Sequence, residues 1–403
     1  MFNYLTVTAA YWGFTLTDGA LRMLVLFHFY QLGYSPFTLA FLFLLYEAAG
    51  VGANFIGGWL ATRYGITRML TIGLSTEIAG FLLLSAVSPD WSAALSVAWV
   101  VVAQGVCGVA KDLTKTASKS AIKLTEAAAG GDSAGRLFRW VAWFTGSKNA
   151  MKGFGFFLGG VLLQFFGFAP SLWLMAGVLA LILAGVLVAL PPLMGKAKAS
   201  ATARELFAKS PGINLLAAAR IGLFGARDVW FVVGVPVFLY SSGWTFTMVG
   251  GFLAAWTIFY GLVQALAPSV TGRSEDGLSR EVPAAQSWSL ILALVPAGIA
   301  LVVAANLFPA DVVVVAGLAL FGLAFAVNSS VHSYLVLAYA GSEKAAEDVG
   351  FYYAANAAGR FGGTLLSGLV YQAGGIIACL VTSAVLLASC VLVTRFLPRH
   401  RPS

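Results

Sequence analysis

Twelve mainly apolar stretches of about twenty or more residues follow one another along this chain. A helix needs about 20 such residues to cross the hydrocarbon core of a bilayer. Inside lipid, every backbone amide must find its hydrogen bond within the protein, so such stretches form helices. The approximate spans are 6–31, 37–61, 68–88, 92–116, 138–166, 170–192, 213–240, 246–270, 284–307, 311–339, 348–372 and 375–396. The sequence therefore predicts an all-α membrane protein with twelve transmembrane helices.

The composition agrees with a membrane protein. Of the 403 residues, 60% are hydrophobic and 10% are charged, whereas soluble domains carry roughly 25% charged residues. The net charge is +8, but the basic residues outside the spans flank apolar stretches, which argues against nucleic acid as a partner. The chain shows no nucleotide-binding loop, zinc pattern or nucleophile elbow. We therefore expect no enzyme activity, no cofactor and no metal site, and energy would come from an ion gradient.

The connections between the spans fall into two alternating sets. One set (31–36, 89–92, 167–170, 241–246, 307–311 and 373–375) contains no Lys or Arg, and the other contains sixteen. Basic connections stay on the cytoplasmic side of a membrane. The basic set consists of Arg63, Arg68, Lys119, Lys123, Arg136, Arg139, Lys196, Lys198, Arg204, Lys209, Arg273, Arg280, Lys344, Arg395, Arg399 and Arg401. Both chain termini are therefore predicted to be cytoplasmic.

The two halves of the chain carry traces of a duplication. A shift of 208 or 210 residues superimposes several polar residues and glycines of the first half on the same kind of residue in the second. The pairs include Asp18 with Asp228, Gly33 with Gly243, Lys152 with Arg360 and Gly155 with Gly363. We predict two six-helix halves, 1–195 and 212–403, joined by a cytoplasmic linker, 196–211. This is the major facilitator architecture, whose substrate site lies near the membrane midplane.

Ionisable residues within the predicted spans indicate the kind of substrate. A charge near the bilayer centre costs about 2.5–3.5 kcal/mol on insertion scales, so several in one chain point to a function. The cations are Arg22, Lys111, Lys115, Lys148, Lys152, Arg220, Arg227 and Arg360, and the acids are Asp18, Glu47, Glu77, Asp112 and Asp228. Because eight cations outnumber five acids by three, the sequence predicts transport of an anion.

Helical spacing groups these residues into a candidate binding site. Residues four apart share a helix face, guanidinium groups hold phosphate-like or carboxylate oxygens bidentately, and Tyr and Asn side chains can donate neutral hydrogen bonds. The predicted substrate-binding residues are Arg22, Lys148, Lys152, Arg220, Arg227, Tyr352, Asn356 and Arg360. Lys111 and Lys115 are assigned to a cytoplasmic vestibule. The alternative is structural ion pairing of Arg22 with Asp18, of Arg227 with Asp228, and of Lys111 or Lys115 with Asp112.

The acids suggest proton coupling. Asp18 and Asp228 occupy equivalent places in the two halves, and a buried carboxylate beside an arginine can exchange a substrate contact for a proton. Glu47 is a third candidate for this role, whereas Glu77 is expected to be structural. His332 is a possible relay. The rival interpretation is that the carboxylates only form salt bridges that support the fold.

Five strings around these charges carry a family resemblance. They are YWGFTLTDGALRM (11–23), AKDLTK (110–115), GSKNAMKG (146–153), GARDVWFVV (225–233) and GFYYAANAAGR (350–360). Together they resemble the ArsJ-type organoarsenical exporters of bacterial arsenic-resistance operons. The resemblance implies export of 1-arseno-3-phosphoglycerate across the bacterial inner membrane. It also implies a functional partner, the glyceraldehyde-3-phosphate-type dehydrogenase that makes this ester when arsenate replaces phosphate. We expect the transporter to be a monomer.

Two other functions remain open at this stage. A sugar-phosphate or organic-anion exchanger would have the same fold, because gradients set the direction of flux. A non-transporting membrane receptor would instead have its midspan cations paired with acids. The three cysteines, Cys107, Cys379 and Cys390, are dispersed among apolar residues. They offer no thiol trio for trivalent arsenic, which fits a pentavalent, oxygen-bound form.

Overall fold

A computed structural model describes residues 2–128, 134–192, 194, 210–271, 274, 278–339 and 345–399. The regular structure of these residues is α-helical throughout, which confirms the predicted fold class. The helices are α1 (Phe2–Gln31), α2 (Pro36–Leu42), α3 (Leu44–Tyr64), α4 (Ile66–Ser85), α5 (Ala93–Ala128), α6 (Ala134–Phe166), α7 (Phe168–Ala189), α8 (Pro211–Phe231), α9 (Gly234–Ser241), α10 (Phe246–Thr271), α11 (Glu281–Ala304), α12 (Ala310–Tyr339) and α13 (Ala345–Thr394).

The helices are those of a multi-pass membrane protein. Among the described residues, nine stretches are long and apolar enough to cross a bilayer. Two of these stretches, Pro36–Ala53 and Pro211–Ser241, each run through two helices. The stretch in α13 contains two predicted spans, separated by non-helical backbone at Gly374 and Gly375. Helices α1 and α6, which carry several of the midspan charges, are not among the nine, so the count of twelve stays a prediction.

The surface of the helices suits a lipid environment. Helix α7 has a mean hydropathy of 2.6 over its candidate span. Its outward residues are large and apolar, and Val188 is 90% exposed. An apolar helix surface of this kind is stable against lipid tails but costly against water.

Two short connections without Lys or Arg turn in the same way. Gly33 follows α1 and Gly243 follows α9, with φ angles of 83° and 93°. This left-handed conformation suits glycine because it lacks a Cβ atom. The two glycines are a pair matched by the 210-residue shift, so matched positions in the two halves make the same turn.

The described chain divides into two compact units. Unit 1 contains Met1–Leu32, Leu42–Ala201 and Thr245–Ile258. Within it, α1 packs tightly against α6 through Gly19 and Gly155. A Cβ atom on Gly19 would lie 2.7 Å from the Lys152 carbonyl oxygen, and one on Gly155 would collide with the Leu16 carbonyl oxygen. The absence of side chains at these two glycines therefore sets the distance between the two helices.

Unit 2 contains Gly33–Phe41, Thr202–Trp244 and Phe259–Ser403. Here α8 packs against α13 through Gly225 and Gly363. A Cβ atom on Gly363 would lie 2.6 Å from the Gly225 carbonyl oxygen and 2.9 Å from the Asp228 Cβ atom. The shift of 208 residues matches Gly363 with Gly155 of unit 1. A glycine at matched positions therefore makes a close helix contact in each unit.

The first helix of the second half begins with a cap. The Ser210 side chain accepts a hydrogen bond from the Ile213 amide at 3.4 Å, and Pro211 occupies the first turn. Both residue types are favoured at these positions. The rest of the predicted linker, 196–209, lies outside the described residues.

Candidate functional site

The ionisable residues of the helices gather in three clusters. The Glu47 cluster of unit 1 consists of Arg22, Glu47, Lys111, Asp112 and Lys115. The Asp228 cluster of unit 2 consists of Arg227, Asp228 and Arg360. The Arg220 cluster, also in unit 2, consists of Arg220, Ser329, His332 and Tyr352.

The Glu47 cluster joins three helices. Arg22 Nη2 on α1 lies 2.5 Å from Glu47 Oε1 on α3, and both side chains are buried. The other carboxylate oxygen, Oε2, lies 4.0 Å from Lys111 Nζ on α5. One carboxylate is therefore shared by two cations from different helices.

The ion pair that helical spacing suggested between Arg22 and Asp18 is replaced in the structure. Arg22 forms its salt bridge with Glu47, while the Asp18 carboxylate accepts a hydrogen bond from the Tyr46 hydroxyl. Tyr46 and Glu47 are neighbours on α3, so this helix supplies a donor to Asp18 and a carboxylate to Arg22. The sequence ranked Glu47 below Asp18 because spacing along one helix does not show which neighbouring helix lies beside it.

The two lysines assigned to a vestibule lie in the same cluster. Lys115 Nζ is 3.1 Å from Asp112 Oδ1, and Lys111 Nζ is 3.9 Å from Asp112 Oδ2. These contacts match the alternative of local ion pairing. Lys111 Nζ also lies 3.7 Å from the centre of the Tyr46 ring, a cation–π contact. Lys111 therefore lies with the residues around Glu47, and its assignment to a vestibule stays a prediction.

The Asp228 cluster joins α8 and α13. Asp228 is almost fully buried, and its Oδ1 atom accepts from Arg227 Nε at 2.6 Å and lies 2.5 Å from Arg227 Nη2. Its Oδ2 atom accepts from Arg360 Nε at 3.2 Å. The neighbours Arg227 and Asp228 do pair, although adjacent residues point about 100° apart on a helix, because the long arginine side chain reaches back to the carboxylate.

The partner of Arg360 was not visible in the sequence around it. The nearest acid in space, Asp228, is 132 residues away along the chain. The close packing of α8 on α13 at Gly363 brings them together. A signal existed in the duplication, which matches Asp18 with Asp228 and Lys152 with Arg360 and so hinted that these positions belong together.

The Arg220 cluster differs from the other two. Arg220 is 3% exposed, and its Nη1 atom donates to the Ser329 carbonyl oxygen at 3.2 Å and to the Ser329 hydroxyl at 3.1 Å. The rings of Phe224 and Tyr352 lie 4.2 and 4.8 Å from its guanidinium carbon. Among the described residues, no carboxylate forms an ion pair with Arg220, and its Nε atom has no hydrogen-bond partner.

The remaining predicted binding residues lie on α6 and α13. Lys148 and Lys152 are half-buried on α6, and the amine of Lys152 is 5.8 Å from the Phe156 ring centre. Asn356 is half-buried one helical turn from the wholly buried Tyr352, and its Oδ1 atom lacks a hydrogen-bond partner in the described part of the chain. Tyr352 and Asn356 therefore offer polar atoms along the face of α13 that also carries Arg360.

Glu77 is the acid that sequence reasoning set aside. It is fully buried, and neither carboxyl oxygen makes a hydrogen bond of ordinary geometry with the described residues. It lies on α4 between Gly73 and Gly80, whose bare backbones lie against Thr114 and Cys107 of α5. The Cys107 thiol is the polar group beside it. Glu77 is thus enclosed in a close helix contact, in agreement with a structural role.

The charge balance of unit 2 favours an anionic ligand. In unit 1, the three cations of the Glu47 cluster face Glu47, Asp112 and the neighbouring Asp18, which accepts from Tyr46, so the charges there are even. In unit 2, the three arginines of the two clusters face one carboxylate. An oxyanion could compete with the shared carboxylates for their cations, because phosphate and arsenate oxygens accept the same charge-assisted hydrogen bonds as a carboxylate.

Comparison with solved structures identifies the fold. The chain is similar to a POT family transporter in complex with 5-aminolevulinic acid, at 14% identity and a TM-score of 0.74, over 97% of this chain and 94% of that one. It is also similar to a structure from the proton-dependent oligopeptide transporters, at 14% identity and 0.70, over 98% of each chain. A mutant of the nucleoside transporter NupG matches at 15% identity and 0.73, over 98% of each chain.

The comparison of sequences is less informative. No protein-family model matches the chain, and no curated protein sequence matches it either. The solved structures have identities well below 25%, so the likeness concerns the fold alone. That fold, shared over almost the whole chain, is the helical fold of major facilitator-like transporters.

Proposed function

We propose that this chain is a secondary active transporter of the bacterial inner membrane that exports a phosphorylated and arsenylated organic anion, 1-arseno-3-phosphoglycerate. It would thereby confer resistance to arsenate. The fold is one that transporters use, and the midspan charge is in excess on the positive side. The specific substrate rests on the resemblance of the charged strings to organoarsenical exporters.

One observation carries the proposal: the carboxylate of Asp228 is held between two arginines from two helices. A buried ion pair of this kind adds little to stability compared with apolar packing. It does, however, keep two guanidinium groups ready for another oxyanion. A substrate that binds Arg227 or Arg360 replaces Asp228 in an equivalent set of hydrogen bonds.

The same arrangement supplies a coupling step. A carboxylate that loses its cations in a low-dielectric surrounding is stabilised by taking up a proton. Substrate and ionised Asp228 would therefore exclude each other at the arginines, which links substrate movement to proton movement. Glu47, shared by Arg22 and Lys111, offers the same exchange in unit 1, and Asp18 remains a candidate through its bond with Tyr46.

The receptor alternative predicts midspan cations that are paired with acids, and many of them are. Pairing does not separate the two functions, because a transporter that uses carboxylates as substitutes for its substrate shows the same contacts at rest. Arg220 is the residue that separates them, since none of the described carboxylates balances it. A purely structural set of ion pairs would leave no buried guanidinium without an acid.

Transport into everted membrane vesicles tests the proposal. The vesicles would receive arsenate, glyceraldehyde 3-phosphate, NAD and the dehydrogenase, so that the substrate forms outside them, and arsenic inside them would be measured with and without an imposed proton gradient. We expect gradient-dependent accumulation by the wild type, none by Arg360→Gln, and normal accumulation by Arg68→Gln, whose side chain is exposed in the first turn of α4. Equal uptake of 3-phosphoglycerate without arsenate would favour the general organic-anion exchanger instead.

A further inference from the structure

Arg220 differs from the buried acids in how its charge can be compensated. A carboxyl group can become neutral by binding a proton, but a guanidinium group stays protonated in proteins. Arg220 is 3% exposed, so water does little to screen it. Glu47 and Asp228 form ion pairs with the arginines of the other two clusters, whereas Arg220 has no carboxylate partner among the residues that the structure describes.

The hydrogen bonds of Arg220 are also incomplete. A guanidinium group has five N–H donors. Nη1 uses the carbonyl and hydroxyl oxygens of Ser329, while the buried Nε has no acceptor in the described residues. The rings of Phe224 and Tyr352 offset part of the charge through cation–π contacts, but an aromatic face supplies no negative charge. An anion would provide both the missing charge and the missing acceptor.

Two neighbouring side chains, Tyr352 and His332, bring further polar groups to this place. The Tyr352 hydroxyl, next to Ser333, makes no hydrogen bond of ordinary geometry, and neither ring nitrogen of His332 has a partner in the described part of the chain. Both side chains are fully buried. His332 follows Ser329 by three residues on α12, so it lies near the helix face that contacts Arg220. An oxyanion beside these side chains would supply the acceptor oxygens that buried donors normally find.

We propose that Arg220, Tyr352 and His332 form a subsite in unit 2 for one tetrahedral oxyanion group of the substrate, the phosphate or the arsenate end. The guanidinium supplies the charge, and the tyrosine hydroxyl and one imidazole N–H each donate a hydrogen bond. This inference rests on the proposed function for the identity of the molecule, but the subsite itself is argued from unit 2 alone.

The position of the subsite suits a substrate with two anionic ends. Arg220 and Arg227 are seven residues apart on α8, which places them on one face about 10 Å apart along the axis at 1.5 Å per residue. The Asp228 cluster lies at the second position. A short carbon chain with an oxyanion at each end can place one end at Arg220, where no carboxylate competes, and the other at Arg227 and Arg360, where Asp228 does.

Binding to the purified full-length protein tests the subsite without transport. Inorganic phosphate and arsenate, each with a single tetrahedral group, would be titrated into the protein by calorimetry. Chloride, a spherical anion, would be titrated for comparison at the same ionic strength of the solution. We expect phosphate and arsenate to bind, and Tyr352→Phe and His332→Leu each to weaken binding about tenfold, since a hydrogen bond to a charged group contributes on this order. Arg220→Gln should abolish the tighter phosphate site and leave only the weaker binding at Arg227 and Arg360, where Asp228 competes.

Two matched variants control for indirect effects. Tyr64→Phe changes an exposed tyrosine of α3, and His28→Leu changes a histidine of unit 1 that stacks on Phe168. Both should retain the wild-type affinity for phosphate. If Arg220→Gln fails to fold, the two milder variants still decide, because they remove one donor each and keep the side-chain volume nearly constant.

The outcomes separate the subsite from the proposed function. Unchanged phosphate affinity in both Tyr352→Phe and His332→Leu would overturn the subsite, even if the vesicles accumulate arsenic. Chloride binding as tight as phosphate binding would overturn its assignment to a tetrahedral oxyanion. Phosphate binding that depends on Tyr352 and His332, together with vesicles that fail to accumulate arsenic, would support the subsite and contradict the proposed function.

Discussion

At the scale of single residues, the partners of Arg22 and Asp18 differ from the ion pair that their spacing on α1 predicted. Glu47 neutralises buried Arg22, and Asp18 accepts a hydrogen bond from an uncharged tyrosine. Glu47→Gln removes the negative charge beside Arg22, and the loss of one member of a buried ion pair costs about 3–5 kcal/mol. Asp18→Asn keeps an acceptor for Tyr46, so its cost is about 1 kcal/mol.

Thermal unfolding of the two variants in detergent checks this difference. We expect the unfolding temperature of Glu47→Gln to fall clearly below that of Asp18→Asn, which should stay close to the wild type. The double variant Arg22→Gln with Glu47→Gln should recover much of the lost stability, because both buried charges are then absent. Equal unfolding temperatures for the two single variants would contradict the assignment of Glu47 as the partner of Arg22.

Glu77 leads to the opposite expectation. A carboxyl group enclosed between helices without a cation costs least in its neutral form, and glutamine is close to that form in size and charge. Glu77→Gln should therefore keep the stability of the wild type and its gradient-dependent transport. If Glu77→Gln folds normally but its transport no longer depends on the gradient, Glu77 is the coupling acid. The stability of Glu77→Leu would show whether a polar side chain is needed between the helices.

The residue contacts show how far the sequence could predict the site. The charge excess and the buried arginines were evident from residue types inside apolar stretches. The link between Asp228 and Arg360 was not, because it depends on which faces of α8 and α13 meet. Arg220 was predicted as a binding residue, but its lack of an acidic partner appears only when the neighbouring helices are in place.

At the scale of helices, the close contact of α8 with α13 depends on Gly363. A Cβ atom there would lie 2.6 Å from a backbone oxygen and 2.9 Å from the Asp228 Cβ atom. Gly363→Ala should therefore destabilise the protein by about 1–3 kcal/mol through overpacking and should move Asp228 relative to Arg360. The control is Gly298→Ala in α11, where an added Cβ meets nothing within 4 Å.

Unfolding temperature and vesicle transport would be measured for both glycine variants. Gly363→Ala should lose stability and transport together. Gly298→Ala should be as stable as the wild type or slightly more, because alanine favours a helix over glycine by about 1 kcal/mol. A stable and active Gly363→Ala would show that the helices can separate slightly without disturbing the Asp228 cluster.

The lengths of the apolar stretches predicted where the helices lie, but they did not predict the breaks within a span. The break between α8 and α9 illustrates the reason. The amides of Val233 and Gly234 both donate to the Ser367 hydroxyl on α13 at 3.1 Å. A side chain 133 residues away thus satisfies the donors that the helix releases. No local pattern around Val233 could predict an interruption that depends on this tertiary contact.

At the scale of the whole molecule, the charge split between the connections predicts the orientation in the membrane. A cysteine placed at Ser242 should react with a membrane-impermeant thiol reagent added outside the cell, and one placed at Ser200, which lies outside the described residues, should not. The wild type is the control, because its three cysteines are buried. Labelling of the cysteine at position 200 but not of the one at position 242 would show that the orientation is the opposite of the predicted one.

The two members of an ion pair are separated by very different numbers of residues, which affects how the protein is inserted into the membrane during synthesis. Arg22 and Glu47 are 25 residues apart, whereas Asp228 and Arg360 are 132 apart. At about 5–20 residues per second, synthesis takes roughly 7–26 s to deliver Arg360 after Asp228. During that interval α8 resides at the insertion machinery with its arginines incompletely balanced. Nascent chains that end before α13 are therefore the forms that we expect membrane quality-control proteases to remove first.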